Sequence, residues 1–167
     1  MQMLNRYFSP FALLLILSAV YCSDPEPSAY HISLGILLVA SLVNWWLAAN
    51  TYRFIRWGRI MRHLQVWLNF LWAVPLFYLL VPFWAPMWLL FVMPSATAAL
   101  YMTRLQTAGV AVVSAGTMLA IFYRNGAFAA LTSGGMAIVQ ASFIVIFALF
   151  VHALAQNALR LRDIGQI

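Results

Sequence analysis

Residues 130–163 read ALTSGGMAIVQASFIVIFALFVHALAQNALRLRD, and this stretch decides what kind of protein the chain builds. From Ala130 to Leu154 it holds no Asp, Glu, Lys or Arg. As a helix rising 1.5 Å per residue, that run is roughly 37 Å long, enough to cross a hydrocarbon layer about 30 Å thick. From Val151 the pattern changes. Val151, Leu154, Ala158 and Leu161 recur at spacings of three and four, while Gln156, Asn157, Arg160, Arg162 and Asp163 occupy the other positions. The spacing predicts a membrane-crossing helix that continues as an amphipathic one, with a short coiled-coil seam of Leu154, Ala158 and Leu161. The simpler alternative is a plain helix end, where Arg160 and Arg162 answer only to the interface and the C-terminal dipole.

The rest of the chain fits a membrane protein. Of 167 residues, 65% are hydrophobic and 7% charged, whereas soluble domains carry about a quarter charged residues. Five further apolar runs precede the quoted one, at about Phe8 to Cys22, Tyr30 to Thr51, Leu64 to Trp84, Met87 to Met102 and Thr107 to Tyr123. Between them stand helix breakers. Asp24-Pro25-Glu26-Pro27-Ser28 and Val81-Pro82-Phe83-Trp84-Ala85-Pro86 cannot sustain a hydrogen-bonded ladder, and Arg124-Asn125-Gly126 offers a glycine for a positive φ. The expected fold is therefore all-α, an integral-membrane six-helix bundle, with residues 1–154 as the transmembrane domain and 155–167 opening a cytoplasmic helix.

Charge sets the expected orientation. The nine basic side chains are all Arg. Arg6, Arg53, Arg56, Arg59, Arg62, Arg104, Arg160 and Arg162 fall on one side of a six-span topology, and Arg124 alone on the other. The positive-inside rule then puts both termini in the cytoplasm of a multi-pass protein, which we expect in a bacterial inner membrane. The first run lacks a small-residue cleavage pattern before Cys22 and reads as an uncleaved signal anchor. The Arg53, Arg56, Arg59 and Arg62 series resembles a voltage-sensor ladder in its spacing. It lies beyond the apolar stretch, however, and reads as a topology and anionic-lipid anchor.

Several function classes find no support in these residues. One Cys and three scattered His give no disulfide framework and no metal-ligand spacing, so no metal or cofactor is expected. His63 and His152 could serve as haem ligands only loosely, and interfacial histidine is the commoner role. No titratable carboxylate or Lys lies within a span, which disfavours general acid–base catalysis and buried-charge ion coupling. A basic surface suited to nucleic acid is missing too. The chain itself is expected not to be an enzyme.

What remains are uncharged polar residues inside the spans. Asn44, Ser95, Thr97, Ser114, Thr117 and Gln140 all fall near the expected midplane. A carboxamide facing lipid would leave its donors unpaired, so Asn44 and Gln140 should face inward. Two readings stay open. They either hydrogen-bond between helices or, with Ser95, Thr97, Trp45 and Trp72, line a small ligand site that Pro94 helps to open by freeing a carbonyl. Small residues on the last two spans, among them Gly109, Ala111, Ser114, Ala115, Gly116, Gly134, Gly135, Ala137 and Ala141, predict that those two helices pack closely.

Taken together, six spans, a basic loop after the second, a small-residue-rich last pair and the exit sequence from Ala153 to Asp163 resemble the N-terminal input domains of bacterial signalling proteins. The plan is similar to membrane-associated sensor (MASE-type) domains of diguanylate cyclases and to six-span sensors of autoinducer-responsive histidine kinases. That resemblance implies a dimeric sensor of a hydrophobic or amphiphilic small molecule, or of membrane state, relaying through its last helix to a cytoplasmic output module. No phosphoacceptor His motif, GGDEF sequence or ATP-binding glycine-rich motif is present, so any enzymatic output would lie outside these residues. The alternative is a small permease-like or accessory subunit of a membrane complex.

Overall fold

The computed structural model describes residues 27–50, 58–82, 85–126 and 131–164, together with Phe11, Leu13, Leu14, Leu15, Leu17, Ser18, Tyr21 and Phe128. All regular structure among them is helical: α1 (Pro27–Asn50), α2 (Gly58–Leu80), a 3-10 turn (Ala85–Trp88), α3 (Leu89–Tyr101), α4 (Arg104–Arg124) and α5 (Leu131–Ile164). Among the described residues four apolar stretches are long enough to cross a membrane: Pro27–Leu47, His63–Leu80, Arg104–Arg124 and Leu131–Ala158. A fifth, Pro86–Tyr101, is shorter. The expected first span lies largely outside the described residues, although Phe11, Leu13 and Tyr21 are helical. Large apolar side chains such as Leu38, Leu42, Val112, Val139, Ile146 and Phe150 stay exposed, far more than a soluble monomer tolerates. Length and apolar composition together are compatible with a membrane protein.

It divides into two compact units, Met1–Met93 and Pro94–Ile167. The division falls inside α3 at Pro94, whose missing N–H interrupts the helical ladder there. In the first unit, α1 packs on α2. The buried residues of α1 are Ser33, Leu37, Ala40, Asn44 and Leu47, alternating by four and three; those of α2 are Val66, Asn69, Ala73, Leu76 and Leu80, with Phe77 beside them. Such spacing makes one continuous seam on each helix. The sequence predicts a break across Pro25 to Ser28, yet α1 begins on Pro27 itself. Proline is tolerated in a first turn, where its N–H has no intrahelical partner to lose. The Pro27 carbonyl is also engaged, by Nδ1 of His31 four residues on. Within this unit Phe91 packs edge-on against Phe77, with ring centres 5.2 Å apart.

The second unit is built on a helical hairpin. Residues Thr107, Val110, Ala111, Ser114, Ala115 and Met118 of α4 are buried, as are Gly134, Ala137, Ala141, Ile144, Ala148 and His152 of α5, and these two helices pack closely. Thr103 caps α4. Its hydroxyl accepts from the Gln106 amide at 3.5 Å while Gln106 Oε1 accepts from the Thr103 amide at 3.3 Å, a reciprocal capping box. The helix ends at Asn125, whose amide donates to the Ile121 carbonyl, and Gly126 follows at φ 74°, the left-handed conformation that glycine adopts without a Cβ penalty.

Candidate functional site

The polar residues expected inside the spans fall into both units. In the first, Asn44 is 3% exposed and its Nδ2 donates to Oδ1 of Asn69 at 3.3 Å. Asn69 is itself 1% exposed and stands on the facing seam of α2. Interhelical pairing, one of the two roles open to Asn44, is thus present. It does not use up the side chain. Asn44 Oδ1 is buried and has no partner among the described residues, and the same holds for the indole Nε1 of Trp72, one turn along α2 from Asn69. Trp45 follows Asn44 but is turned to the outer face of α1, 71% exposed. The structure does not bring its ring to the seam.

In the second unit, Ser95 and Thr97 are buried on α3. Two carbonyls near the end of that helix are met by side chains, one of them Ala98 O, which also accepts from the Met102 amide at 2.8 Å. The Thr107 hydroxyl donates to Ala98 O at 3.2 Å, and His152 Nδ1 lies 2.9 Å from Ala99 O. A carbonyl only accepts, so His152 carries its proton on Nδ1, and its ring ties α5 to the end of α3. Gln140 Oε1 on α5 and Ser114 Oγ on α4 are buried without a partner among the described residues. In the hairpin they lie about equally far from the turn, roughly 14 to 15 Å along their helices. By contrast Ser142, on an exposed face, satisfies its hydroxyl on its own helix through Ile138 O at 2.9 Å.

Leu154 and Ala158 are exposed on α5, which runs unbroken past both to Ile164; Leu161 lies in the same helix. Arg59 and Arg62 belong to the first turns of α2, whereas Arg53 and Arg56 fall outside the described residues. Among the described residues no three His, Cys, Asp or Glu gather as a metal site would require.

Sequence reasoning passed over Asn69, Thr103 with Gln106, and the bond from His152 to Ala99. Two of these carry a readable signal. Asn69 is a carboxamide inside the third apolar run, and Thr-x-x-Gln ahead of an apolar run is a capping-box pattern. The His152 contact joins residues far apart in sequence and leaves no local trace. Comparison with protein-family models, with curated proteins and with solved structures finds no match to this chain.

Proposed function

We propose that this chain is the membrane-embedded input domain of a signalling system in a bacterial inner membrane. It crosses six times with both ends cytoplasmic, detects a hydrophobic or amphiphilic small molecule or the state of the bilayer, and relays the change through α5 as a homodimer. The observation that carries this reading is the continuity of α5. Its 34 residues amount to about 51 Å of helix, some 20 Å more than the hydrocarbon requires. A helix that only anchors has no need of that extension. A rigid rod, by contrast, transmits a rotation or shift from one end to the other.

The bond from His152 to Ala99 supports the same reading, since it fastens the rod at the level where its polar extension begins. Leu154 and Ala158 stay exposed there and offer an apolar contact to the same residues of a second copy. Lipids are the other partner, with Arg53, Arg56, Arg59 and Arg62 holding the anionic headgroups.

Single cysteines introduced along residues 151–164, in a chain whose Cys22 is replaced by Ser, test this directly. Cross-linking in native membranes should peak at Leu154, Ala158 and Leu161. Uniform or absent cross-linking would overturn the dimeric relay and favour an accessory subunit of a larger complex.

A further inference from the structure

Asn44 Oδ1 and Trp72 Nε1 are the two unpartnered buried side-chain atoms of the α1–α2 pair among the described residues. Asn44 bonds Asn69 across the α1–α2 seam, and Trp72 stands one turn along α2 from Asn69. The oxygen can only accept and the indole N–H can only donate, and both are buried without a partner among the described residues. In hydrocarbon no water stands by to satisfy either group. We propose that together they bind the neutral hydroxyl group of a membrane-dissolved amphiphile, Asn44 Oδ1 accepting from its O–H and Trp72 Nε1–H donating to the same oxygen. This deepens the proposed function, on which it rests, by naming the chemistry that is sensed.

The other polar groups fit less well. An ammonium donates but cannot accept from the indole. A carboxylate accepts but cannot donate to Asn44, and it would bring a charge between Pro27–Leu47 and His63–Leu80, stretches without a single Arg or Lys to meet it. An ether or ketone answers Trp72 and leaves Asn44 bare. The surroundings suit an apolar tail. One turn further along each seam stand Ala40 and Ala73, short of the leucines Leu37 and Leu76 beyond them. Trp72 is half-buried, so its ring borders the lipid side while its N–H faces in.

The test uses the full chain in lipid nanodiscs, with thermal unfolding followed during titration with 1-hexadecanol, hexadecane or 1-methoxyhexadecane. The alcohol should raise the unfolding midpoint, and the alkane and ether should not. Trp72→Phe, which keeps an aromatic ring of smaller size and removes the donor, should weaken the alcohol's effect about tenfold, and Asn44→Leu should do the same. Equal shifts from all three probes would mean simple partition into the bilayer and overturn the site. So would an undiminished alcohol effect in Trp72→Phe, or no alcohol effect at all with a more stable Asn44→Leu, Trp72→Phe variant, the result expected of a buried water. Because the readout is stability, a specific alcohol effect without the cross-linking pattern of α5 would keep the site and remove the relay. The converse result would do the reverse.

Discussion

The two helix pairs bury similar lengths of apolar helix by different means. Across the α1–α2 seam stand leucines, a valine and an asparagine pair, with Trp72 alongside; across the α4–α5 seam stand Ala111, Ala115, Ala137, Ala141 and Ala148. Lipid tails are as apolar as leucine, so burying leucine gives helices in a bilayer little reason to associate, and close packing and hydrogen bonds must supply it. The alanine seam uses packing: with alanine at five of its buried positions, beside Val110, Met118 and Ile144, the two helices pack closely. The asparagine seam uses polarity. The difference predicts a rigid hairpin in one unit and, in the other, a pair whose contact depends on one polar cluster, and a pair of that kind is the better place for a ligand to act.

The largest expected effect lies in the rigid hairpin. Ala111 is fully buried, so Ala111→Leu must push the helices apart or force strained rotamers, at a cost of about 1 to 3 kcal/mol. Ala141→Leu should behave alike. Reversible unfolding of the purified chain in mild detergent measures both. A change below about 0.5 kcal/mol in each, the range of ordinary surface substitutions, would show that the alanine seam does not hold the hairpin.

A smaller effect of a different kind is expected in the asparagine seam. Asn44→Leu strands the buried amide of Asn69 and should cost about 1 kcal/mol. Replacing both, Asn44→Leu with Asn69→Leu, removes the stranded group as well and should restore much of the loss, a coupling of about 0.6 kcal/mol or more between the two sites. No such rescue is available between two alanines. If the double variant loses the sum of the single losses, the pair is not an interaction, and the contrast between the two seams disappears.

Much of this architecture is legible in the amino-acid sequence, and the reasons are local. Hydropathy over a span, the proline pairs and Arg124-Asn125-Gly126 each act within a few residues, and they find the four long helices, although α2 starts six residues before the expected Leu64 and ends four before Trp84. The close approach of α4 and α5 is legible as well, because small residues at helical spacing are a property of one strip of sequence. The fourth run is harder: its helix is α3, only 13 residues, preceded by a 3-10 turn, because Pro86 and its neighbours delay the ladder. Candidate site residues are legible as polar side chains in apolar runs, but their partners are not. Asn44 finds Asn69, and His152 finds Ala99, across distances in sequence that no periodicity spans. Trp45 shows the same limit, since its helix phase relative to a neighbour decides which way it points.

The smallest expected effect separates glycine from alanine within the hairpin itself. Small residues at close helix contacts are often read as glycine motifs, yet Gly109 and Gly116 are exposed on α4, and a Cβ added at either meets nothing within 4 Å. Gly134 differs, because a Cβ there comes to 3.0 Å from Cδ1 of Phe128. Glycine in a helix interior is about 0.5 to 1 kcal/mol worse than alanine. Gly109→Ala and Gly116→Ala should therefore raise stability by up to that amount. Gly134→Ala should gain little or lose a few tenths of a kcal/mol, since the Phe128 ring is partly exposed and can swing aside. The three variants, unfolded under the same detergent conditions, give an order that the alanine seam dictates: Gly109→Ala and Gly116→Ala above the parent chain, Gly134→Ala at or just below it. If Gly116→Ala instead loosens the hairpin by about 1 kcal/mol or more, beyond what a helix-propensity change can supply, a glycine face of α4 holds this protein together, and the seam drawn through Ala111 and Ala115 is the wrong one.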